Sequence, residues 1–396
     1  MPRAILVVAG CTLACLHLSC VSPRLLRETT PVRIGMYADL SSTGARDGND
    51  ALRGAELRVN EMNASGGVGG RQVELVVLDA KQSSTAAVKS FTHLAQEDGV
   101  CAVIGSSVAG SSLSVSPVAD LSRVPLVSLA LDDRVTTPEL KPENPDEPGS
   151  VRQYAFLLQP SAIQSATSFA EYALEHFNVA RYATLFDPVN PVSVLQARAF
   201  ENVVKKSGKV VAASAALPEG DPGAAMRTLL DAAVEAVYIC ASTEKNAAAA
   251  MAIREMMPLV VQLGNQAWYG PLAEQAAAAS ENAWFCMSVS PDDAGLADIA
   301  PAYAARFGEK PRPGVVPGWD AAGLIIAAVR KAGSSSPPKV RDAIEQMTAF
   351  KALQGPLDMD RKTHRPVFVP VAIMHIVGGA CLTAEPRYLH KPARAK

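Results

Sequence analysis

A turn rich in serine and glycine, from Gly105 to Ser112, carries the residue types best suited to binding a small anion. It follows a short apolar run at 101–104 and precedes an apolar helical segment. This setting resembles a phosphate-binding loop, but Ser111 stands where that loop places its lysine, so hydrolysis of a nucleoside triphosphate is disfavoured. Backbone N–H groups and hydroxyls at a helix N-terminus remain, and they suit a carboxylate. A tight turn filled by small residues is the alternative interpretation.

Other catalytic or metal-binding patterns are missing from the sequence. No G-x-S-x-G elbow occurs, and the glycines at 67–70 lie between a helix and a strand, the reverse of a dinucleotide-binding turn. The adjacent acids Asp132 and Asp133 suit turns and helix caps. We therefore expect no enzymatic activity, no cofactor and no metal. The six histidines show no metal-ligand spacing: residues 17, 93, 176, 364, 375 and 390.

Composition narrows the class of protein further. A chain of 396 residues is long enough for two lobes with separate cores. Its 37 basic and 39 acidic residues give a net charge of -2, so no basic field is present to hold a nucleic acid backbone. Aromatic residues make up only 5%, which argues against a surface for stacking bases. No nucleic acid partner is expected.

The N-terminus predicts export. Residues 4–18 form an uncharged apolar run that is short for a membrane span but suits a secretory signal, so residues 1–20 are interpreted as a signal peptide. Cys20 follows this run and is the candidate lipidation site, although His17 stands where lipoprotein signals usually carry leucine. A plain cleaved signal is the alternative. No second hydrophobic span is expected.

Two series of alternating strands and helices follow the signal. From Arg33 to Ala130, apolar strand-like runs alternate with helical stripes such as Ala51, Ala55, Val59 and Met62. A second series of the same kind begins near Ile163. This alternation predicts parallel sheets covered by helices.

Three further features lie outside that alternation. Residues 136–149 hold four prolines among acidic residues and are interpreted as an exposed insertion, and the basic tail from Arg387 is expected to be disordered. Four cysteines beyond the signal sit in apolar runs and are expected to be buried and unpaired. Cys240 and Cys286 form the one pair worth checking for a disulfide.

Several motifs in order carry a resemblance to a known family. Residues 34–44, 52–57, 60–71, 102–105 and 124–128 resemble the substrate-binding proteins of branched-chain amino-acid-type ABC importers. The resemblance extends more weakly to about Gly378. It implies the type I periplasmic-binding-protein fold, an α/β fold of two doubly wound parallel-sheet lobes joined by a three-segment hinge. The implied lobes are 31–150 with 290–362, and 151–289 with 363–383, followed by a tail at 384–396.

The resemblance also implies where a ligand binds. The family's hydroxyl residue that holds the ligand carboxylate falls at Ala109, and its strand-end contacts fall at 130–132, where Asp132 is a candidate partner for a ligand ammonium or, alternatively, a helix cap. The ligand is then an amino acid or a related amide or acid, and an aromatic acid stacked near Trp268 and Tyr269 would also fit. The candidate ligand-binding residues are Asp47, Ala109, Gly110, Ser111, Ala130, Leu131, Asp132, Asn190, Thr243 and Gln266.

The function implied by the resemblance is capture of a small solute between the lobes and its delivery to a membrane permease. The expected partners are the small ligand, an ABC transporter permease and, through Cys20, the membrane. Two alternatives remain: a ligand-sensing receptor domain and an α/β enzyme. A sensor would normally be followed by a membrane span or signalling domain, and none is seen before Lys396.

Overall fold

The computed structural model of the chain describes residues 30–389 except 43, 44, 142, 143, 145, 146, 148, 271, 273–275, 277 and 368. The predicted signal peptide and Cys20 lie outside the described residues. Among the described residues, no helix combines the length and the apolar character needed to cross a membrane.

Alternating strands and helices form the body of the chain, as the sequence pattern predicts. The helices are α1 (Arg46–Ala64), α2 (Ser84–Gln96), α3 (Ala109–Ser122), α4 (Ala162–His176), α5 (Pro191–Lys206), α6 (Gly223–Asp231), α7 (Thr243–Met256), α8 (Ala294–Phe307), α9 (Val315–Ala332) and α10 (Pro337–Glu345), with short 3-10 turns at Asp133–Val135 and Gln266–Trp268.

The first sheet is parallel throughout. Its strands are β1 (Val32–Ala38), β2 (Val73–Asp79), β3 (Val103–Ile104), β4 (Leu126–Ser128) and β5 (Ala155–Leu157). They lie in the order β2-β1-β3-β4-β5, so the chain first adds a strand on one side of β1 and then continues on the other. β2 was expected to be covered on both faces, but most of it is half-buried because it lies at the sheet edge.

The second sheet repeats this order and then adds antiparallel strands. Its parallel part has the order β10-β9-β8-β6-β7, and β15 and β16 extend it beyond β10. The strands are β6 (Arg181–Phe186), β7 (Val210–Ala216), β8 (Ala236–Cys240), β9 (Val261–Gly264), β10 (Trp284–Met287), β15 (Val371–Val377) and β16 (Ala380–Tyr388), and two small hairpins are formed by β11 (Phe350–Ala352), β12 (Gly355–Leu357), β13 (Met359–Asp360) and β14 (Arg365–Pro366).

Each sheet has its own apolar core. The core of the first lobe joins β1 to α1 and α9, and those of the second lobe lie on the two faces of the β6–β10 sheet. Helices α1 and α9 cross closely because Gly318 faces the backbone of Ala51: a Cβ at Gly318 would lie 1.8 Å from the Ala51 carbonyl oxygen. A glycine at this crossing is therefore required by close packing.

The structure corrects the predicted domain boundaries. β5 pairs with β4 in the first sheet, so the first lobe extends beyond residue 150. The Leu157 N–H donates to the carbonyl of His364 at 3.0 Å. Residues 363–366, which include β14, therefore lie against the first lobe. Arg387 was predicted to be disordered, but it lies in β16 and pairs with Asp293. These corrections follow from strand pairing, which sequence periodicity does not report.

The predicted insertion is only partly exposed. Thr136 and Thr137 are fully buried, and Leu140 is buried in an apolar cluster with Ala162 of α4 and Leu195 of α5. A segment from the β4–β5 connection of the first lobe thus contacts the second lobe. The expectation that the whole stretch is solvent-exposed is wrong, because its prolines exclude regular structure without excluding burial.

The cysteines are free, as expected. Cys101, Cys240 and Cys286 are buried, Cys381 is half-buried, and no disulfide joins any of these four. Burial raises the pKa of the Cys101 and Cys286 thiols to about 12. They therefore act as small apolar side chains of the core.

Candidate ligand-binding cleft

Each lobe has a crevice at the carboxyl end of its parallel strands. In an open α/β sheet, ligands bind where the strand order reverses, because the connecting helices leave on opposite faces there. The reversal lies between β1 and β3 in the first lobe and between β6 and β8 in the second. These two positions define the candidate cleft.

A chain of hydroxyl groups lines the first-lobe crevice. The Ser128 hydroxyl donates to the Ser112 hydroxyl at 2.9 Å, and the Ser112 hydroxyl donates to the carbonyl of Ser106 at 2.9 Å. The Ser106 hydroxyl in turn accepts from the Val108 N–H at 3.0 Å, and that of Ser128 accepts from the Ala130 N–H. These bonds fix the turn that leads into α3.

The N-terminus of α3 opens into this crevice. Val108 is its N-cap residue and carries no side-chain cap, so the first amide groups of the helix have no side-chain partner in the described structure. Ala109 is half-buried, Gly110 is exposed and Ser111 is buried. A helix N-terminus with free N–H groups attracts an anion, so binding of a carboxylate at 109–111 stays a prediction.

Helix α1 begins beside the same crevice. A Cβ at Gly48 would lie 2.0 Å from the Asp39 carbonyl oxygen, so glycine is required for this helix to approach the end of β1. This contact holds the exposed side chains of Arg46 and Asp47 at the rim. Although Asp47 has an exposed surface, the surrounding protein raises its pKa by partial desolvation, and the negative charge of Asp50 adds to the rise.

Ser193 joins the two strand ends that form the second-lobe crevice. Its hydroxyl accepts from the Asp187 N–H at 2.8 Å, at the end of β6, and donates to the carbonyl of Cys240, the last residue of β8. Both strand ends are buried around this contact. The crevice therefore has a fixed floor.

A lysine with two acidic partners spans the second-lobe crevice. Lys245, in the first turn of α7, lies 3.0 Å from an Asp187 carboxylate oxygen and 2.7 Å from one of Glu219. The lysine side chain is 13% exposed, that of Asp187 10% and that of Glu219 87%. Sequence analysis missed this group. A lysine in a first helical turn opposes the helix dipole, and that is the signal that could have marked it.

An aromatic residue of the second lobe lies within electrostatic range of Arg46 at the first-lobe rim. Tyr269, after β9 of the second lobe, is half-buried, and burial raises its pKa while the positive charge of Arg46 from the first lobe opposes that rise. Trp268 was considered for stacking with a ligand, but it is fully buried, and its indole N–H donates to the carbonyl of Ile239 at 3.2 Å. Trp268 therefore belongs to the core, and Tyr269 is the aromatic residue at the cleft.

Asp132 already has a partner within the first lobe. Its carboxylate accepts from the Arg134 guanidinium at 3.0 and 2.6 Å, and it caps the short 3-10 turn through the Arg134 N–H at 3.0 Å. The side chain is buried. Because Arg134 neutralises it, this carboxylate needs no ligand ammonium. The geometry favours the helix-cap alternative, while a role in binding stays a prediction.

The other candidate residues also occupy strand ends. Asn190 is exposed and caps α5 by accepting from the Val192 N–H, and the Thr243 hydroxyl at the start of α7 donates to the carbonyl of Ala267. Gln266 is exposed and accepts from the Ser288 hydroxyl at 3.4 Å. The two reversal points are thus flanked by Asp47, 109–111, Asn190 and Thr243. The remaining candidates follow the neighbouring strands: 130–132 come after β4, and Gln266 comes after β9.

Metal-binding geometry is not found in the part of the chain that the structure describes: no group of three or more His, Cys, Asp or Glu side chains could hold an ion there. The cleft is lined by amides, hydroxyls and single charges, which suit recognition of a small polar molecule.

A comparison with models of known protein families identifies the family of this chain. The family model described as periplasmic binding protein matches residues 31–380. The chain belongs to the periplasmic binding protein family. This family and its fold are those of substrate-binding proteins, and the family resemblance stated from the sequence is confirmed.

Curated relatives match a shorter part of the chain. Leu/Ile/Val-binding protein homolog 7 of Brucella abortus is 32% identical over 106 residues, 26% of this chain and 26% of its own length. Homolog 8 of the same organism is 30% identical over 132 residues, 33% of this chain and 30% of its own length. The chain thus spans about a quarter to a third of the length of these relatives.

Solved structures share the whole fold. A leucine binding protein, LivK, from Thermotoga maritima has a TM-score of 0.74 at 19% identity, covering 91% of this chain and 99% of its own. A second structure is the branched-chain amino acid transporter substrate binding protein LivJ from Streptococcus pneumoniae, solved with isoleucine. It has a TM-score of 0.71 at 22% identity, and the match covers 90% of this chain and 100% of LivJ. The predicted type I fold is confirmed.

Proposed function

We propose that this periplasmic binding protein captures a small amino acid, or a related amide or acid, in the cleft and presents it to an ABC importer outside the cytoplasm. The observation that carries the proposal is that each lobe has a strand-order reversal with a helix N-terminus beside it, α3 in the first lobe and α7 in the second. A site divided between two lobes binds by closing, because ligand groups from both sides are satisfied only when the lobes meet.

The first-lobe crevice supplies the group that an amino acid requires. The amide groups of Ala109, Gly110 and Ser111 at the start of α3 suit a carboxylate, and the serine hydroxyls beneath them hold the turn rigid. The names of the relatives and the isoleucine complex of LivJ support an amino acid as the ligand class. The candidate residues carried over from the resemblance are proposed as the cleft lining.

Binding is expected to stabilise the protein and to close it. A panel of amino acids, amides and small organic acids is tested by thermal shift, and a ligand at one hundred times its dissociation constant adds about 2.7 kcal/mol to the free energy of unfolding. Small-angle scattering of the same sample should show a smaller radius of gyration. A panel in which no compound raises the melting temperature would contradict amino-acid capture.

Membrane attachment through Cys20 is the second part of the proposal, motivated by the apolar run that precedes this cysteine. Replacing Cys20 with serine is expected to move the protein from the membrane fraction to the soluble periplasmic fraction, because one thiol carries the lipid. Incorporation of labelled fatty acid is the measurement. If the unmodified sequence takes up no label, the signal is cleaved without lipidation.

A further inference from the structure

We propose that Lys245 binds an anionic group of the ligand, so that the cleft selects an acidic amino acid or a related diacid over an aliphatic one. This inference rests on the proposed capture function and narrows its ligand class. It is carried by the position of Lys245 at the reversal point of the second sheet and by the unequal burial of its two acidic partners.

The reversal point places Lys245 in the cleft. Helix α7 follows β8, the loop carrying Asp187 follows β6, and these two strands are neighbours where the strand order reverses. The Lys245–Asp187 contact of 3.0 Å therefore crosses the crevice in which an open α/β sheet receives its ligand. On the opposite lobe, the free amide groups of α3 provide the site for a first carboxylate.

The two acidic partners differ in what holds them. Asp187 is buried, and its carboxylate also accepts from the Val189 N–H at 3.1 Å, so it is part of the crevice floor. The Glu219 side chain is 87% exposed and comes from the loop between β7 and α6. An ion pair with a partner so exposed contributes little to stability. Glu219 is thus the displaceable partner.

Glu219 occupies the position that a ligand carboxylate would take. The Lys245 ammonium donates hydrogen bonds to both carboxylates, and these bonds raise its pKa, the one to Glu219 being the larger cause, so the lysine is cationic at neutral pH. When an acidic ligand replaces Glu219, one carboxylate exchanges for another and the local charge is unchanged. Lobe closure then removes water from the new pair and strengthens it relative to the exposed one.

Calorimetry of defined variants tests this assignment, with L-glutamate, L-aspartate and L-leucine as probes. The wild type is expected to bind one acidic probe at least tenfold more tightly than L-leucine. Glu219→Gln should bind that probe several-fold more tightly because the internal competitor is gone. Lys245→Met should weaken the affinity for that probe at least tenfold and change the affinity for L-leucine less than twofold. Lys205→Met, at the opposite end of α5, is the matched control and should bind as the wild type does.

Loss of Lys245 leaves the buried Asp187 carboxylate without its cation, so the double variant Asp187→Asn with Lys245→Gln provides a folded alternative. It should show the same selective loss. Tighter binding of L-leucine than of either acid, or equal losses for all probes in Lys245→Met, would overturn the assignment while leaving amino-acid capture intact. Binding of none of the three probes, together with a silent wider panel, would overturn both.

Discussion

Replacing Arg365 with methionine is expected to lower the free energy of unfolding by about 3–5 kcal/mol. Arg365 is 8% exposed and forms an ion pair with Asp133, which is fully buried. Burial raises the pKa of Asp133, and the guanidinium opposes that rise. Without Arg365, the carboxylate would either stay charged in a buried site or take up a proton, and both cost stability.

The position of this pair explains why the effect should be large. Asp133 follows β4, its carboxylate also accepts from the Ile163 N–H at the start of α4 at 3.2 Å, and Arg365 lies in β14. Three chain segments therefore meet at one buried charge beside the passages between the lobes. Arg365 supplies the guanidinium that faces this carboxylate.

Urea unfolding followed by circular dichroism measures the effect of Arg365→Met. The control is Arg33→Met, because the Arg33–Glu74 pair is 47% exposed on both sides and should contribute only about 0–1 kcal/mol. The double variant Asp133→Asn with Arg365→Met removes both charges and should recover much of the loss. A single variant as stable as the Arg33→Met control would show that the buried pair does not hold this region.

Periodicity predicted the alternating strands and helices, whereas the hinged two-lobe arrangement was implied by the family resemblance. The apolar strand runs and helical stripes recur in two series, and each series folds into a parallel sheet because neither face of such a strand can be left in water. The serine and glycine turn at 105–112 was recognisable for the same local reason: small residues between a strand and a helix leave amide groups free.

Pairing across the chain was not predictable from local pattern. Asp132 and Asp133 are adjacent and look alike in the sequence, yet one pairs with Arg134 two residues away and the other with Arg365. Lys245 looks like an ordinary charged residue at a helix start, and only the pairing of β6 with β8 brings it to Asp187. Strand register decides these partners, and register depends on the whole sheet.

Asp320 is expected to make the protein less stable as the pH rises from about 4 to 8. The side chain lies in α9 and is buried, and burial raises the pKa of its carboxyl to about 7, although hydrogen bonds from Leu353 at 2.7 Å and from Gln354 oppose the rise. The folded state therefore holds this proton more tightly than the unfolded state does. The stabilisation by the protonated Asp320 carboxyl is fully present below the unfolded pKa of 3.8. It is lost as the pH rises through the folded-state pKa of about 7.

The size of the effect follows from the shift. From 3.8 to about 7 is about three pKa units, and one unit is worth about 1.4 kcal/mol, so the full effect is about 4 kcal/mol. Asp320→Asn keeps an oxygen that can accept from the Leu353 N–H but removes the charge. The variant should therefore be more stable than the wild type at pH 8, and the difference between them should shrink as the pH falls toward 5.

Urea unfolding of both proteins at several values between pH 5 and 8 isolates this residue, because every other titrating group is common to the two. Asp342→Asn is the control for a carboxylate-to-amide change at the surface: its side chain is 61% exposed beside Arg341, so this substitution should change the free energy of unfolding by only about 0–1 kcal/mol. A constant difference between Asp320→Asn and the wild type across this range would mean that Asp320 has the same pKa in the folded and unfolded states. The carboxylate would then be ionised inside the lobe, held by the Leu353 amide and the guanidinium of Arg58 strongly enough to cancel the cost of burial.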